Sequence, residues 1–325
     1  MMTAANFKRI TAPCDNFLVL THERPDADTI GSAAALAEIL KQTGKTAMFA
    51  CADEIPRTLR FLTGGKAYMP LPDESRAEEY TVIAVDAAAK PLLGKCGKFA
   101  DRVMIAVDHH TSHMDFARYE YVDKEAAACS EIVFDIAEEL VGFPLSPGTS
   151  EYLYAALAAD TGGFRYSNTT PRSHLIAARL VSFGIDSAEI CRKLFECKTK
   201  ESIAAETYAM SHVKLFLDGA VSCVVIPNTA KTEYHFNDGD SYDVINAIRR
   251  IEGVRIAIAA RQRDGESRYK ISMRSSCRVD VAQICAAFGG GGHTGAAGFD
   301  VAEEDMPDAL REIIISCDKS GKLYE

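Results

Sequence analysis

Residues 103 to 113 read VMIAVDHHTSH. Five apolar residues run straight into Asp108, His109 and His110, three side chains that a buried strand cannot use but that the end of a strand can present. Two more apolar runs end in the same way. NFLVL (16–20) is followed by HERPDADTIGS, which delivers His22, Asp26 and Asp28, and TVIAV (81–85) is followed by Asp86. A further acid, Asp160, closes the helical run SEYLYAALAAD just before Thr161-Gly162-Gly163. Carboxylates gathered at one place raise one another's pKa and repel, and divalent cations resolve the conflict. Carboxylates with one imidazole per ion suit Mn2+ or Mg2+, and the lack of Cys in the set argues against a closed zinc site. Two such ions, ~3.5–4 Å apart, clamp the attacking and leaving oxygens of a phosphoryl displacement.

Taken singly, each residue has a plainer use. Asp28 could cap the helix TIGSAAALAEIL, Asp86 and Asp108 could cap a helix or turn, and His22 could be an ordinary loop histidine. It is the joint pattern that points to a site: H-x-x-x-D-x-D, a lone Asp and D-H-H, each directly after a strand.

These side chains need elements to hold them. The first half alternates short apolar runs (16–20, 46–50, 81–86, 103–108) with helical patterns, SAAALAEILKQTG ending at Gly44, then 129–140 and 150–160. Strands alternating with helices imply parallel pairing in a doubly wound α/β sheet, whose ligands sit beyond the carboxyl ends of the strands. Residues 171–216 read as wholly helical. The second half changes rhythm: a strand at 219–227, a helix at 241–251, two strands around Gly265 within 255–276, and a helix at 279–288 before GGGGHTGAAGF. This is a smaller α+β domain.

At 325 residues and 47% apolar content, two domains are expected. The boundaries read as 1–185, a helical linker at 186–216, and 217–325. A net charge of −10 argues against coating nucleic acid through a broad basic face, although Arg249 to Arg278 holds nine Lys/Arg against three Asp/Glu. Ten cysteines without a CxxC pair, no apolar run of membrane-spanning length and no apolar signal core imply a cytoplasmic protein with reduced thiols.

HERPDADTIGS, VDAAA, VDHH and AADTGGF resemble the four motifs of the DHH phosphoesterase superfamily, which includes RecJ exonucleases, family II pyrophosphatases and NrnA-like oligoribonucleases. The resemblance implies that His22 and Asp26 bind one metal, that Asp28, His109 and Asp160 bind another, and that Asp86 bridges the two. Asp108 would orient a ligand histidine, and His110 would face the substrate as proton donor or phosphate contact. A water deprotonated between two Mn2+ ions, with Mg2+ as the alternative, would be the nucleophile.

In the second half, Gly290-x-Gly292-x-x-Gly295 formally matches the dinucleotide fingerprint, but a helical stretch precedes it where that motif needs a strand. The glycines read either as a flexible loop or as an anion-binding nest with His293 adding a donor. ISMRSS places Arg274, Ser275 and Ser276 at a strand end, and Arg contacts phosphate bidentately. Arg261 and Arg263 read as solvated. This half resembles the DHHA1 domain, whose R-S element and GGGGH loop bind phosphates and nucleotide, so Arg274, Ser275, Gly291, Gly292 and His293 are the expected substrate contacts. His113, His174, His212 and His235 read as ordinary surface or core residues.

DHH followed by DHHA1 resembles the stand-alone NrnA-like enzymes. It implies hydrolysis of short oligoribonucleotides such as nanoRNA and pApA, of 3′-phosphoadenosine 5′-phosphate, or of both. The alternatives are a cyclic di-AMP phosphodiesterase on the same scaffold and, more remotely, a non-catalytic nucleotide-binding protein. The partners implied are short RNA or small nucleotides, with no long duplex and no membrane; family precedent admits a homodimer.

Overall fold

A computed structural model describes residues 2–324. The chain divides into two compact units, Met1–Cys197 and Lys198–Glu325.

The first unit runs α1 (Ala4–Thr11), β1 (Asn16–Leu20), α2 (Ala27–Gln42), β2 (Thr46–Ala50), β3 (Thr81–Val85), β4 (Val103–Asp108), β5 (Tyr119–Val122), α3 (Cys129–Leu140), α4 (Pro147–Asp160), α5 (Pro171–Val181) and α6 (Ser187–Cys191). Its five strands form a wholly parallel sheet in the order β2-β1-β3-β4-β5. Alternate strand residues serve opposite faces, and both faces are buried. Phe17, Val19, Ile83, Val85, Ile105 and Val107 join the core formed with α2, α3 and α4. Leu18, Leu20, Val82 and Ala84 pack instead against Leu93, Cys96 and Phe99 from the 3₁₀ stretch Lys90–Arg102. A sheet covered on both sides explains why its strands read as continuous apolar runs rather than alternating ones.

Helix α2 begins at Ala27 because Asp26, rather than Asp28, caps it by accepting the Thr29 N–H at 3.0 Å. Ile30, Leu36, Ile39 and Leu40 of α2 are fully buried, each contributing about 1.5–3 kcal/mol over an exposed side chain. Gly31 lets α2 approach α4: a Cβ there would stand 2.5 Å from the Tyr152 carbonyl oxygen and 2.9 Å from the Ala156 Cβ.

The stretch 171–216 is less uniform than expected. Gly184, at φ +88°, breaks α5 from α6, a short π-helical turn follows at Arg192–Glu196, and Thr199 caps a new helix by accepting the Ser202 N–H at 3.0 Å. That helix opens the second unit, which runs α7 (Lys200–His212), β6 (Lys214–Phe216), β7 (Val221–Ile226), α8 (Asn228–Tyr234), α9 (Val244–Ile248), β8 (Ile256–Gln262), β9 (Arg268–Ser275), α10 (Val281–Ala286), β10 (Gly291–His293), β11 (Ala296–Ala302) and α11 (Met306–Lys319). Its six strands are ordered β10-β11-β9-β8-β7-β6, with β7 and β8 parallel and the other neighbours antiparallel. No helix among the described residues is long and apolar enough to cross a membrane.

Candidate metal centre

Strand order 2-1-3 means that the chain turns to one side after β1 and to the other after β2, so the switch point lies between β1 and β3. The register aligns Leu20 of β1 with Ala84 of β3, and Ala84 with Ala106 of β4. Two residues beyond that row stand His22, Asp86 and Asp108. The helices complete the ring: α2 starts at the same edge with Asp26 and Asp28, and α4 ends there with Asp160.

Each metal-type histidine is fixed by its own backbone neighbourhood. His22 Nδ1 lies 2.6 Å from the Glu23 carbonyl oxygen, and its Nε2 faces Asp26 Oδ2 at 3.7 Å and Asp86 Oδ2 at 3.5 Å. His109 Nδ1 lies 3.2 Å from the Ala126 carbonyl oxygen, and its Nε2 faces Asp28 Oδ2 at 3.8 Å and Asp86 Oδ1 and Asp160 Oδ2 at 3.4 Å each. An imidazole whose second nitrogen is held by a carbonyl is the usual posture of a metal ligand.

The carboxylates are held as firmly. Asp28 is fully buried. It caps not its own helix but α3, whose Ala128 has no capping side chain: its oxygens accept the N–H groups of Cys129 at 2.6 Å and Ser130 at 3.2 Å, with the Ser32 hydroxyl at 3.0 Å. Asp86 sits at φ +56°, a left-handed conformation that Asp tolerates better than most residues. Its Oδ1 is buried without a hydrogen-bond partner, which a cap or turn residue would not be. Asp108 is fully buried, accepts the His109 N–H at 2.9 Å, and lies 2.7 Å from His110 Nδ1.

The electrostatics follow from this crowding. Burial opposes charge on His22, but Asp26 and Asp86 outweigh it and push the imidazole up to about 11. His109 is raised against burial by Asp86, Asp28 and Asp160. Burial, then neighbouring carboxylates, raises Asp28 and Asp160. Asp86 is held low despite burial because His109 and His22 flank it. Cys129 stays a thiol, raised by burial and by the surrounding carboxylates.

The residues fit divalent cations. Ligand atoms of His22, Asp26 and Asp86, of Asp28, His109 and Asp160, and of Asp86, His109 and His110 lie within 4.8 Å of one another in each group. Atoms bound ~2.1 Å from one ion stand roughly 3–3.6 Å apart, close to the separations above. The donors are oxygen and imidazole nitrogen only, and Asp86 turns one oxygen to each histidine.

Two further side chains reach this cluster: the buried His113 places its Nδ1 2.6 Å from Asp108 Oδ2 and its Nε2 3.0 Å from Glu120 Oε2. The one sequence signal was a third histidine in the loop that opens with the D-H-H triplet.

In the second unit, Gly291–His293 form a short edge strand, and Gly289 lies in the turn before it. A Cβ on Gly290 would stand 2.3 Å from the Gly298 carbonyl oxygen, and one on Gly292, at φ +146°, 2.4 Å from that of Ala296; Gly291 has open space around it. His293, Ala296 and Arg274 form one row across β10, β11 and β9; the side chain of His293 lies outside the described residues. Arg274 donates to the Met273 carbonyl at 3.0 Å, and Ser275 closes a turn through the carbonyl and N–H of Cys277 at 3.2 and 3.4 Å. Arg261 is buried rather than solvated. It pairs with Asp238 at 3.0 Å, and its guanidinium lies 4.3 Å from the Tyr242 ring centre. Arg263 pairs with Asp300 at 2.7 Å.

A parallel α/β unit with a carboxylate–imidazole cluster at its switch point is thus followed along the chain by a mixed-sheet unit. The model of the DHH family N-terminal domain matches residues 16–159, and that of the DHHA1 domain matches residues 220–317. The chain is 30% identical to the bifunctional oligoribonuclease and PAP phosphatase NrnA of Thermus thermophilus, over 91% of this chain and 87% of that one. An exopolyphosphatase-related protein from Bacteroides fragilis has the same fold, with a TM-score of 0.90 at 24% identity over 99% of this chain and 97% of that one. RecJ of Thermus thermophilus, solved with Mn2+, is similar at a TM-score of 0.57 and 14% identity, over 97% of this chain and 54% of that one. The chain belongs to the DHH family, with a DHHA1 domain after its DHH domain, and is a DHH-family hydrolase.

Proposed function

We propose that the chain is a two-metal phosphoesterase acting on short oligoribonucleotides such as pApA, on 3′-phosphoadenosine 5′-phosphate, or on both. The observation that supports this most is Asp86, a buried carboxylate with one oxygen toward His22 and the other toward His109. In this reading His22 and Asp26 would hold one divalent cation, Asp28, His109 and Asp160 would hold a second, and Asp86 would serve both, with Mn2+ preferred and Mg2+ the alternative. When bound, such a pair supplies an activated water at neutral pH and neutralises charge on the transferring phosphoryl group.

The chain's own residues do the remainder. Asp108 fixes the ring of His110, which donates a proton to, or hydrogen-bonds, the scissile phosphate. Arg274, Ser275, Gly291, Gly292 and His293 bind nucleotide through bidentate and backbone donors. Residues 1–185 then form the catalytic domain, 186–216 a helical linker and 217–325 the substrate-binding domain, in a cytoplasmic enzyme. The nucleotide substrates named for the NrnA relative favour this reading over an inorganic one.

Asp86→Ala tests the metal assignment. It should abolish Mn2+-dependent turnover while circular dichroism shows the fold retained. A folded, fully active variant would contradict the bridging role.

A further inference from the structure

The hydrogen bonds around His110 reach beyond the D-H-H triplet. The carboxylate of Asp108 has no solvent exposure, and its two oxygens serve different rings: Oδ1 lies 2.7 Å from His110 Nδ1 and Oδ2 lies 2.6 Å from His113 Nδ1. The His113 side chain is itself 2% exposed, and its other nitrogen stands 3.0 Å from Glu120 Oε2. Glu120 is anchored in turn. Its Oε1 accepts the backbone N–H groups of Phe116 at 2.8 Å and Ala117 at 2.6 Å, and its backbone sits in β5, in register with Ala106 of β4. An unbroken path therefore leads from sheet backbone through Glu120, His113 and Asp108 to His110. Without His113 one buried carboxylate oxygen would be unpartnered, and the His109 N–H at 2.9 Å would alone anchor Asp108 to the backbone against turning and taking the His110 ring with it.

We propose that His113 and Glu120 are positioning residues for the reaction: they lock the rotation of Asp108 and so aim His110. This rests on the assignment of His110 to the substrate side. Neither residue belongs to the groups assigned above to the two cations or to the nucleotide, so the effect should fall on kcat and spare both KM and Mn2+ affinity.

The test uses the full chain with Mn2+ and 3′-phosphoadenosine 5′-phosphate. His113→Ala should lower kcat by about 10–100-fold, the usual cost of removing a partner that orients a site residue. His113→Asn, whose amide places a donor where Nδ1 stood, should recover most of that loss. In a His110→Ala background, His113→Ala should cost nothing further, since residues acting through one another are not additive. A fully active His113→Ala, an Asn variant as slow as Ala, or additive losses in the double variant would overturn the proposal. So would loss of one bound Mn2+ per chain in His113→Asn, which would make His113, Asp115 and Glu120 a metal group instead. If His113→Ala does not fold, Glu120→Gln carries the same test: a kcat loss that vanishes in the His110→Ala background supports the proposal, and one that persists overturns it. A fully active His110→Ala removes the functional reading and this inference together. A crippled His110→Ala beside a fully active His113→Ala removes the inference alone.

Discussion

His22 and His109 each give one ring nitrogen to a backbone carbonyl and turn the other to a set of carboxylates. Those carboxylates hold His22 protonated well above neutrality, up to about 11, and raise His109 as well. A ligand imidazole must be neutral, so a cation entering either group displaces a proton. The sign follows: affinity for Mn2+ should rise with pH, and binding at pH 7 should release protons, more of them at the His109 group because Asp28 and Asp160 are raised there too. Titration calorimetry in buffers of different ionisation enthalpy measures this directly; a binding enthalpy independent of the buffer would contradict it. At this scale much was legible in the sequence. Asp108, His109 and His110 stand where an apolar strand ends, and no packing need explains them there. His113 and Glu120 were not legible, because each acquires its role from a partner that only the fold supplies: β5 brings Glu120 beside a loop that its own sequence, YEYV, does not mention.

At the scale of elements, the site depends on how closely α2 and α4 approach. Asp26 and Asp28 ride on the start of α2 and Asp160 on the end of α4, and both helices must converge on His109. Gly31 permits this, since any side chain there meets Tyr152 and Ala156 of α4. An alanine normally favours a helix by about 1 kcal/mol over glycine. Here the clash should win, with Gly31→Ala destabilising the protein by about 1–3 kcal/mol. The variant should melt several degrees lower and bind Mn2+ more weakly, as thermal denaturation with and without the ion would reveal; an unchanged or raised Tm would show that the helices have room to spare. The apolar runs marked β1 to β4 because strands buried on both faces are nearly continuous in Val, Ile, Leu and Ala. The short edge strand β5, the helix α1 and the strand nature of GGGGH were not marked. Glycine carries no hydrophobic pattern, and β10 exists because Gly290 and Gly292 let its backbone lie against β11.

At the scale of the molecule, the two units divide by chemistry. The first gathers five aspartates and three histidines at one sheet edge: Asp26, Asp28, Asp86, Asp108, Asp160, His22, His109 and His110. The second carries the basic stretch Arg249 to Arg278, whose charges are partly structural, as the pairs Arg261–Asp238 and Arg263–Asp300 show. Both domain identities were legible because their motifs are local in sequence: His22, Asp26 and Asp28 follow one strand, Asp86 and His109 follow two others, Asp160 ends a helix, and Arg274 lies about fifteen residues before the glycine run. The protein is proposed to hydrolyse short nucleotides. The direct measurement is kcat/KM of the Mn2+-loaded protein on pApA, 3′-phosphoadenosine 5′-phosphate, a short 5′-labelled RNA, cyclic di-AMP and pyrophosphate, run side by side. Among these, pApA, short RNA or the bisphosphate should lead, with pyrophosphate far behind. Leadership by cyclic di-AMP or pyrophosphate, or Mn2+ binding with no turnover of any of the five, would contradict it.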